Sequence, residues 1–135
     1  MKKTAGYSGT PLVAKLGIKE QARALFVGAP SDFSQTLGPL PTGARTTRTG
    51  VIDVAILFVR QLSELSKKFG PLRDRLETNG MLWVAWPKKS SGVKSDVDEN
   101  LVRDFGLAAG LVDVKVCAID DIWSGLKFVR RLRDR

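Results

Sequence analysis

No histidine occurs in this chain of 135 residues, and Cys117 is its only cysteine. Without histidine the commonest general base and the usual zinc ligand are gone, and with them every Ser-His or Cys-His nucleophile arrangement. A lone cysteine closes no intramolecular disulfide and builds no cysteine metal site. Any catalysis would have to run on Asp, Glu, Lys, Tyr or a cofactor. Long apolar runs are missing too: none approaches the roughly 20 residues that cross a bilayer, so no membrane-spanning helix is expected. Lys2 and Lys3 open the chain as they would a secretory leader, but Gly6, Ser8, Gly9, Thr10 and Pro11 interrupt the apolar stretch that should follow. A cytoplasmic location is expected. P-loop spacing, zinc-finger and helix-turn-helix spacing, internal repeats and low-complexity segments are also absent.

Apolar residues make up 43% of the chain and charged residues 27%, a balance that argues against wholesale disorder. The length allows one compact domain over residues 1–135, with residues 1–9 expected to be flexible and 133–135 to fray. The net charge of +8 is unevenly spread: residues 1–95 carry 15 Lys and Arg against 6 Asp and Glu, and residues 96–135 carry 7 against 8. A cationic surface of this kind favours anionic partners, a small anion or nucleic acid among them, although it also serves solubility alone.

Periodicity supplies the elements. Thr10 and Pro11 can start a short helix through Leu12, Val13 and Leu16, which Gly17 stops. Ala22 to Val27 is a near-continuous apolar run, as in a strand covered on both faces. Ser31 or Asp32 can cap a helix of about two turns through Leu37, and Ala44 to Thr49 can form a short edge strand. Val51 to Val59 is the strongest strand. Arg60 to Leu76 follows with Leu62, Leu65, Phe69, Leu72 and Leu76 on one helical face, interrupted at Gly70-Pro71. Asn79-Gly80 turns into the strand Met81 to Trp86. Ser95 or Asp96 is expected to cap the next helix, with Leu101, Val102, Phe105 and Leu107 on its buried side. Val112 to Ile119 and Leu126 to Leu132 then pair antiparallel across a connection too short for a crossover. Alternation of this kind makes an α/β fold: one three-layer domain, its sheet mostly parallel, with a C-terminal antiparallel hairpin.

In such a sheet, ligands sit beyond the carboxyl ends of the strands. The loop after Met81–Trp86 carries Lys88, Lys89, Ser90, Ser91 and Gly92, a set of cations, hydroxyls and free amides suited to an anion. Gly28 and Ser31 follow the first strand and are expected to face that loop. The alternative is a solvated turn that keeps the rim soluble. Tyr7 to Thr10 could add a second polar element, or simply lead into the first helix. Asp120-Asp121 reads as a turn former rather than a metal site, and Cys117 as a small core residue. Trp83 and Trp86 differ by three and so fall on opposite faces.

The placement of Asp53-Val54, Gly80-Met81 and the Val112–Leu132 hairpin resembles the later half of the class I S-adenosylmethionine-dependent methyltransferases. The run LGIKEQARALFVG, Leu16 to Gly28, is similar to the segment that leads into their cofactor-binding glycine loop. The resemblance implies a Rossmann-like sheet. The chain departs from that pattern at Phe26, where an acidic residue should precede the glycine, and at Ala29-Pro30-Ser31, where further glycines should follow. Thr47, Arg48 and Thr49 lack the acid that binds the ribose, and no room remains between Thr49 and Val51 for a further helix, strand and helix. The fold implied is a reduced methyltransferase fold without a cofactor. The blocks GYSGTPLVAKLGI, WPKKSSG, GLVDVKVCAID and WSGLKFVRR also resemble a small family of bacterial proteins of unknown function, which adds no activity. The resulting expectation is a non-catalytic module that binds a small anionic ligand or a macromolecular partner at the carboxyl-end rim. A divergent methyltransferase and a nucleic-acid-associated basic protein are the alternatives.

Overall fold

A computed structural model describes residues 10–135. The expected flexible lead and the polar group at Tyr7 to Gly9 lie outside the described residues. In chain order the elements are α1 (Leu12–Lys15), β1 (Arg23–Val27), α2 (Phe33–Leu37), β2 (Arg45–Thr46), β3 (Ile52–Phe58), α3 (Leu62–Asp74), β4 (Leu76–Pro87), α4 (Glu99–Ala108), β5 (Leu111–Ala118) and β6 (Trp123–Arg130). They form one six-stranded sheet in the order β2-β1-β3-β4-β6-β5. The first four are parallel, and the final strand slots antiparallel between β4 and β5.

Each face of the sheet has its own core, which makes three layers. Leu65, Phe69 and Leu72 of α3 and Val102 of α4 pack on Ala55, Leu57, Leu82, Val84 and Trp86. Leu12 and Leu16 of α1 and Phe33 and Leu37 of α2 pack on Val54, Ile56, Phe58, Trp83 and Ala85. The unbroken apolar character of β3 follows from this, because both of its faces are covered. Trp83 and Trp86 do lie on opposite faces, and the Trp83 indole N–H donates to the Leu16 carbonyl at 3.0 Å.

Several boundaries differ from the sequence expectation, each for a local reason. Helix α3 runs through Gly70-Pro71 without a break. Pro71 stands near its end and deprives only the exposed turn at Lys67 of a bond, while buried Phe69 and Leu72 hold the helix down. Asn79-Gly80 falls inside β4, where the register with β3 jumps from Leu76 opposite Ile52 to Met81 opposite Val54. Gly80 is required there: a Cβ would meet the carbonyls of Glu77, Ile52 and Asp53 at 3.0–3.2 Å. Asp98, not Ser95 or Asp96, caps α4, accepting the Leu101 N–H at 2.9 Å. Leu107 is 37% exposed, and Gly106 instead presses on the Phe128 ring with no room for a Cβ. Strand β2 shrinks to two residues. Strand β6 begins at Trp123, because the Asp120 carboxylate accepts the N–H groups of Ile122 and Trp123, both at 2.8 Å, and closes the turn there. The chain ends in a 3-10 turn over Leu132–Asp134, with the Arg135 Nε–H donating to the Arg130 carbonyl.

Candidate functional site

Strand order reverses between β1 and β3, and an open α/β sheet usually carries its ligand in the crevice above that reversal. Here aromatic rings fill it. Phe33, the first residue of α2, stands edge-on to Phe26 and Phe58 with ring centroids 5.2 and 5.0 Å apart. Phe58 in turn meets Trp123 at 5.1 Å. Phe33, Phe58 and Trp123 are buried. Gly28 leaves β1 with φ +71°, and a Cβ on it would lie 2.8 Å from the Phe58 carbonyl oxygen. Its glycine is thus explained by the approach of β3.

The open space lies one step along the rim, between the loops that follow β3 and β4. A cleft of about 600 Å³ is lined by Arg60 and Gln61 from the first loop and by Lys89, Gly92, Lys94 and Asp96 from the second. A smaller cavity of about 220 Å³ adjoins it through Lys89, Ser95 and Asp96. The two loops are clasped together. The Ser95 hydroxyl donates to the Arg60 carbonyl at 2.7 Å, and the Asp96 carboxylate accepts the Leu62 N–H at 2.7 Å. Asp96 therefore supplies the negative charge that the start of α3 favours. Glu64 accepts from the N–H groups of Arg60 and Gln61 at 2.8 and 3.1 Å, which fixes the turn out of β3. The Arg60 guanidinium sits 5.1 Å over the Trp123 ring, a cation–π contact that holds it at the cleft wall.

Of the residues expected from sequence, Lys89 and Gly92 line this cleft. Lys88 turns away, its ammonium donating to the Asp120 carbonyl at 2.8 Å and its N–H to the Ile122 carbonyl at 2.7 Å. The Ser91 hydroxyl donates to the Lys88 carbonyl at 2.6 Å and accepts the Val93 N–H at 3.2 Å. Those two residues shape the loop. Ser90 is exposed on the 3-10 turn, and Gly28 and Ser31 are exposed at the end of β1, away from the cleft lining. Arg60, Gln61, Lys94, Ser95 and Asp96 were not picked out as site residues in the sequence. Arg60 and Gln61 could have been, since they follow directly on the strongest apolar strand.

The remaining chemical groups are accounted for structurally. Asp53 lies at the opposite, amino end of the sheet, where Arg23 Nε and Nη2 reach its two carboxylate oxygens at 2.9 and 3.0 Å. The hydrogen bond from Arg23 holds that carboxyl below the usual aspartate value. Among the described residues no group of three His, Cys, Asp or Glu could hold a metal ion. Cys117 is half-buried and packs against the core on the α1 side, and burial pushes its thiol up.

No protein-family profile matches the chain, and no curated protein sequence does. Solved structures do match it in fold. A precorrin-6y C5,15-methyltransferase from Geobacter metallireducens GS-15 aligns with a TM-score of 0.59 at 9% identity, over 89% of this chain and 86% of that one. Magnesium protoporphyrin IX methyltransferase from Synechocystis PCC 6803, with bound SAH, aligns with a TM-score of 0.54 at 14% identity, over 89% and 78%. Aeropyrum pernix fibrillarin, with natively bound S-adenosyl-L-methionine, aligns with a TM-score of 0.55 at 15% identity, over 92% and 70%. The chain therefore has a Rossmann-like, methyltransferase-like fold. At these identities the likeness is one of fold alone.

Proposed function

We propose that this protein is an α/β module that binds a small anionic ligand, of phosphate type, in the cleft between the loops after β3 and β4. The observation that carries the reading is the convergence of Arg60, Lys89 and Lys94 on one open cavity at the carboxyl ends of the two central strands. Lysines supply compact charges and Arg60 a planar fork, which together suit phosphate oxygens. Gln61 adds a neutral donor, and the Asp96 carboxylate sets a limit on affinity.

The cofactor that the fold brings to mind does not fit the residues present. The crevice above β1 is taken by Phe33 and Phe58, and the glycine there is followed by Ala29-Pro30. Beyond β2, the Thr47 hydroxyl donates to the Thr49 carbonyl and no carboxylate stands among Thr47, Arg48 and Thr49. The strand arrangement and its methyltransferase neighbours still favour a second reading, a divergent methyltransferase. That reading needs a methyl donor seated elsewhere on the rim.

Titration calorimetry with inorganic pyrophosphate separates the two. The proposal expects binding that weakens at least about tenfold in a Lys89→Gln, Lys94→Gln double variant, the size of about 1.4 kcal/mol, with the unfolding temperature unchanged. Equal affinity in the variant would defeat it. Heat on titration with S-adenosylmethionine, and none with pyrophosphate, would favour the methyltransferase.

A further inference from the structure

A second cationic surface lies on the opposite side of β6 from the α3–α4 layer, away from the rim. Lys115 of β5 and Lys127 of β6 are direct cross-strand partners, and Lys127 is also paired with Trp83 of β4. Directly opposed side chains share a face, so both lysines project on the side that carries α1. There the Lys15 ammonium of α1 donates to the Ala118 carbonyl of β5 at 3.3 Å. Lys19 follows α1 and stands close enough to act on the Lys127 charge, as Lys115 does. Four ammonium groups thus gather on one strip of sheet.

Like charges placed directly opposite on a sheet are destabilising. Among the described residues none of the four forms an ion pair. Asp113, the acid closest in sequence on β5, is already held by Arg103 at 3.0 Å. Lys127 is itself half-buried. Such an arrangement favours an external anion laid over it.

The strip also indicates which anion. A protein partner would be expected to find an apolar or aromatic centre among the charges. Of the exposed apolar neighbours on β5, Val116 is opposite Leu126, which packs into the α3–α4 core, so it faces the other way, and Val114 stands alone at the bulge beside Lys115. Trp83 beneath Lys127 is fully buried and can stack on no base. Half-buried Met81, Val129 and Val112 border the lysines on this face without an exposed aromatic ring among them, and the exposed row is one of point charges, which contact phosphates and carry no sequence information.

We infer that Lys15, Lys19, Lys115 and Lys127 form a docking strip for the phosphate backbone of a nucleic acid, bound without sequence preference. The strip is separate from the rim cleft, so either site can fail without the other.

The test is fluorescence anisotropy of labelled DNA and RNA duplexes of one arbitrary sequence, over a range of salt. Wild-type protein should bind at low salt and lose affinity steeply as salt rises. A Lys115→Gln, Lys127→Gln double variant should flatten the DNA slope of log K on log salt by about 1.8, at ~0.9 for each phosphate no longer neutralised. Its fold is checked by thermal unfolding, which relief of the opposed charges should leave unchanged or raise. The control removes the same charge from the far face, at exposed Lys67 and Lys68 of α3, and should keep the wild-type slope. Binding to only one duplex would identify the source of the phosphate. Three results would overturn the inference: no binding at low salt, an equal flattening in the control, or displacement of the duplex by poly-L-glutamate at equal charge. The last would point to an acidic protein partner.

Discussion

Gly106 shows how tightly single residues are specified. Its Cα lies against the Phe128 ring, so Gly106→Ala drives a methyl into a buried aromatic. Overpacking of this kind should destabilise the fold by about 1–3 kcal/mol, even though alanine is the better helix former. Urea unfolding measures it, and a neutral or stabilising result would mean that α4 can shift away. Lys127 gives a pH signature. Burial, then the charges of Lys115 and Lys19, push its ammonium below the ordinary lysine value of 10.5. In the alkaline window just below that value the unfolded chain binds more protons than the folded one, so stability rises with pH there. Lys127→Met should remove that increment, which appears as the difference between wild-type and variant urea midpoints at about pH 8 and about pH 10. At this scale the sequence is a partial guide. The seven residues expected at the site included Lys89 and Gly92, but a row of adjacent lysines and serines does not reveal which side chains turn inward. Lys88 is spent on the Asp120 and Ile122 carbonyls of the β5–β6 turn and Ser91 on the Lys88 carbonyl, and only the fold separates Lys88 from Lys89.

Among the elements, the segment from Lys88 to Asp98 does the most. It makes a 3-10 turn, closes with Gly92 at φ +78°, and then sends Ser95 and Asp96 back to the turn out of β3 before Asp98 starts α4. Asp96→Asn should separate the two roles of that side chain. Asparagine still accepts the Leu62 N–H, so stability should fall by no more than a few tenths of a kcal/mol. Removal of the negative charge from the cleft should strengthen pyrophosphate binding about threefold to fivefold, the scale of an exposed charge pair. A drop in affinity would place the anion elsewhere. The strands were legible because burial on both faces writes itself as apolar runs: β3 and the core of β4 fall where Val51–Val59 and Met81–Trp86 predict. Helix starts were less so. Ser95, Asp96 and Asp98 are all competent caps by composition, and the choice among them depends on the distant partner Leu62 that Asp96 finds. Gly70-Pro71 misled for a related reason, since the packing of Phe69 and Leu72 overrides a local breaker.

For the whole molecule, the mostly parallel sheet, its antiparallel end and its three layers follow from alternation of strand and helix, and the methyltransferase neighbours match the chain in fold. The broken glycine loop was also visible in the sequence, as Ala29-Pro30. The filling of the crevice was not, because Phe26, Phe33, Phe58 and Trp123 come together only in the fold. The surface charge divides in the same way. A net charge of +8 is read from composition, but its concentration in a rim cleft and a lysine strip depends on strand register. The proposed ligand site lies in the cleft between the β3 and β4 loops rather than in the crevice above β1. Amide chemical-shift mapping by NMR tests it most directly, with pyrophosphate and S-adenosylmethionine titrated separately. Pyrophosphate shifts are expected to centre on Gln61, Lys89, Gly92 and Lys94, with none at Gly28 to Ser31 for either compound. Saturable S-adenosylmethionine shifts centred on Gly28 to Ser31 would contradict it.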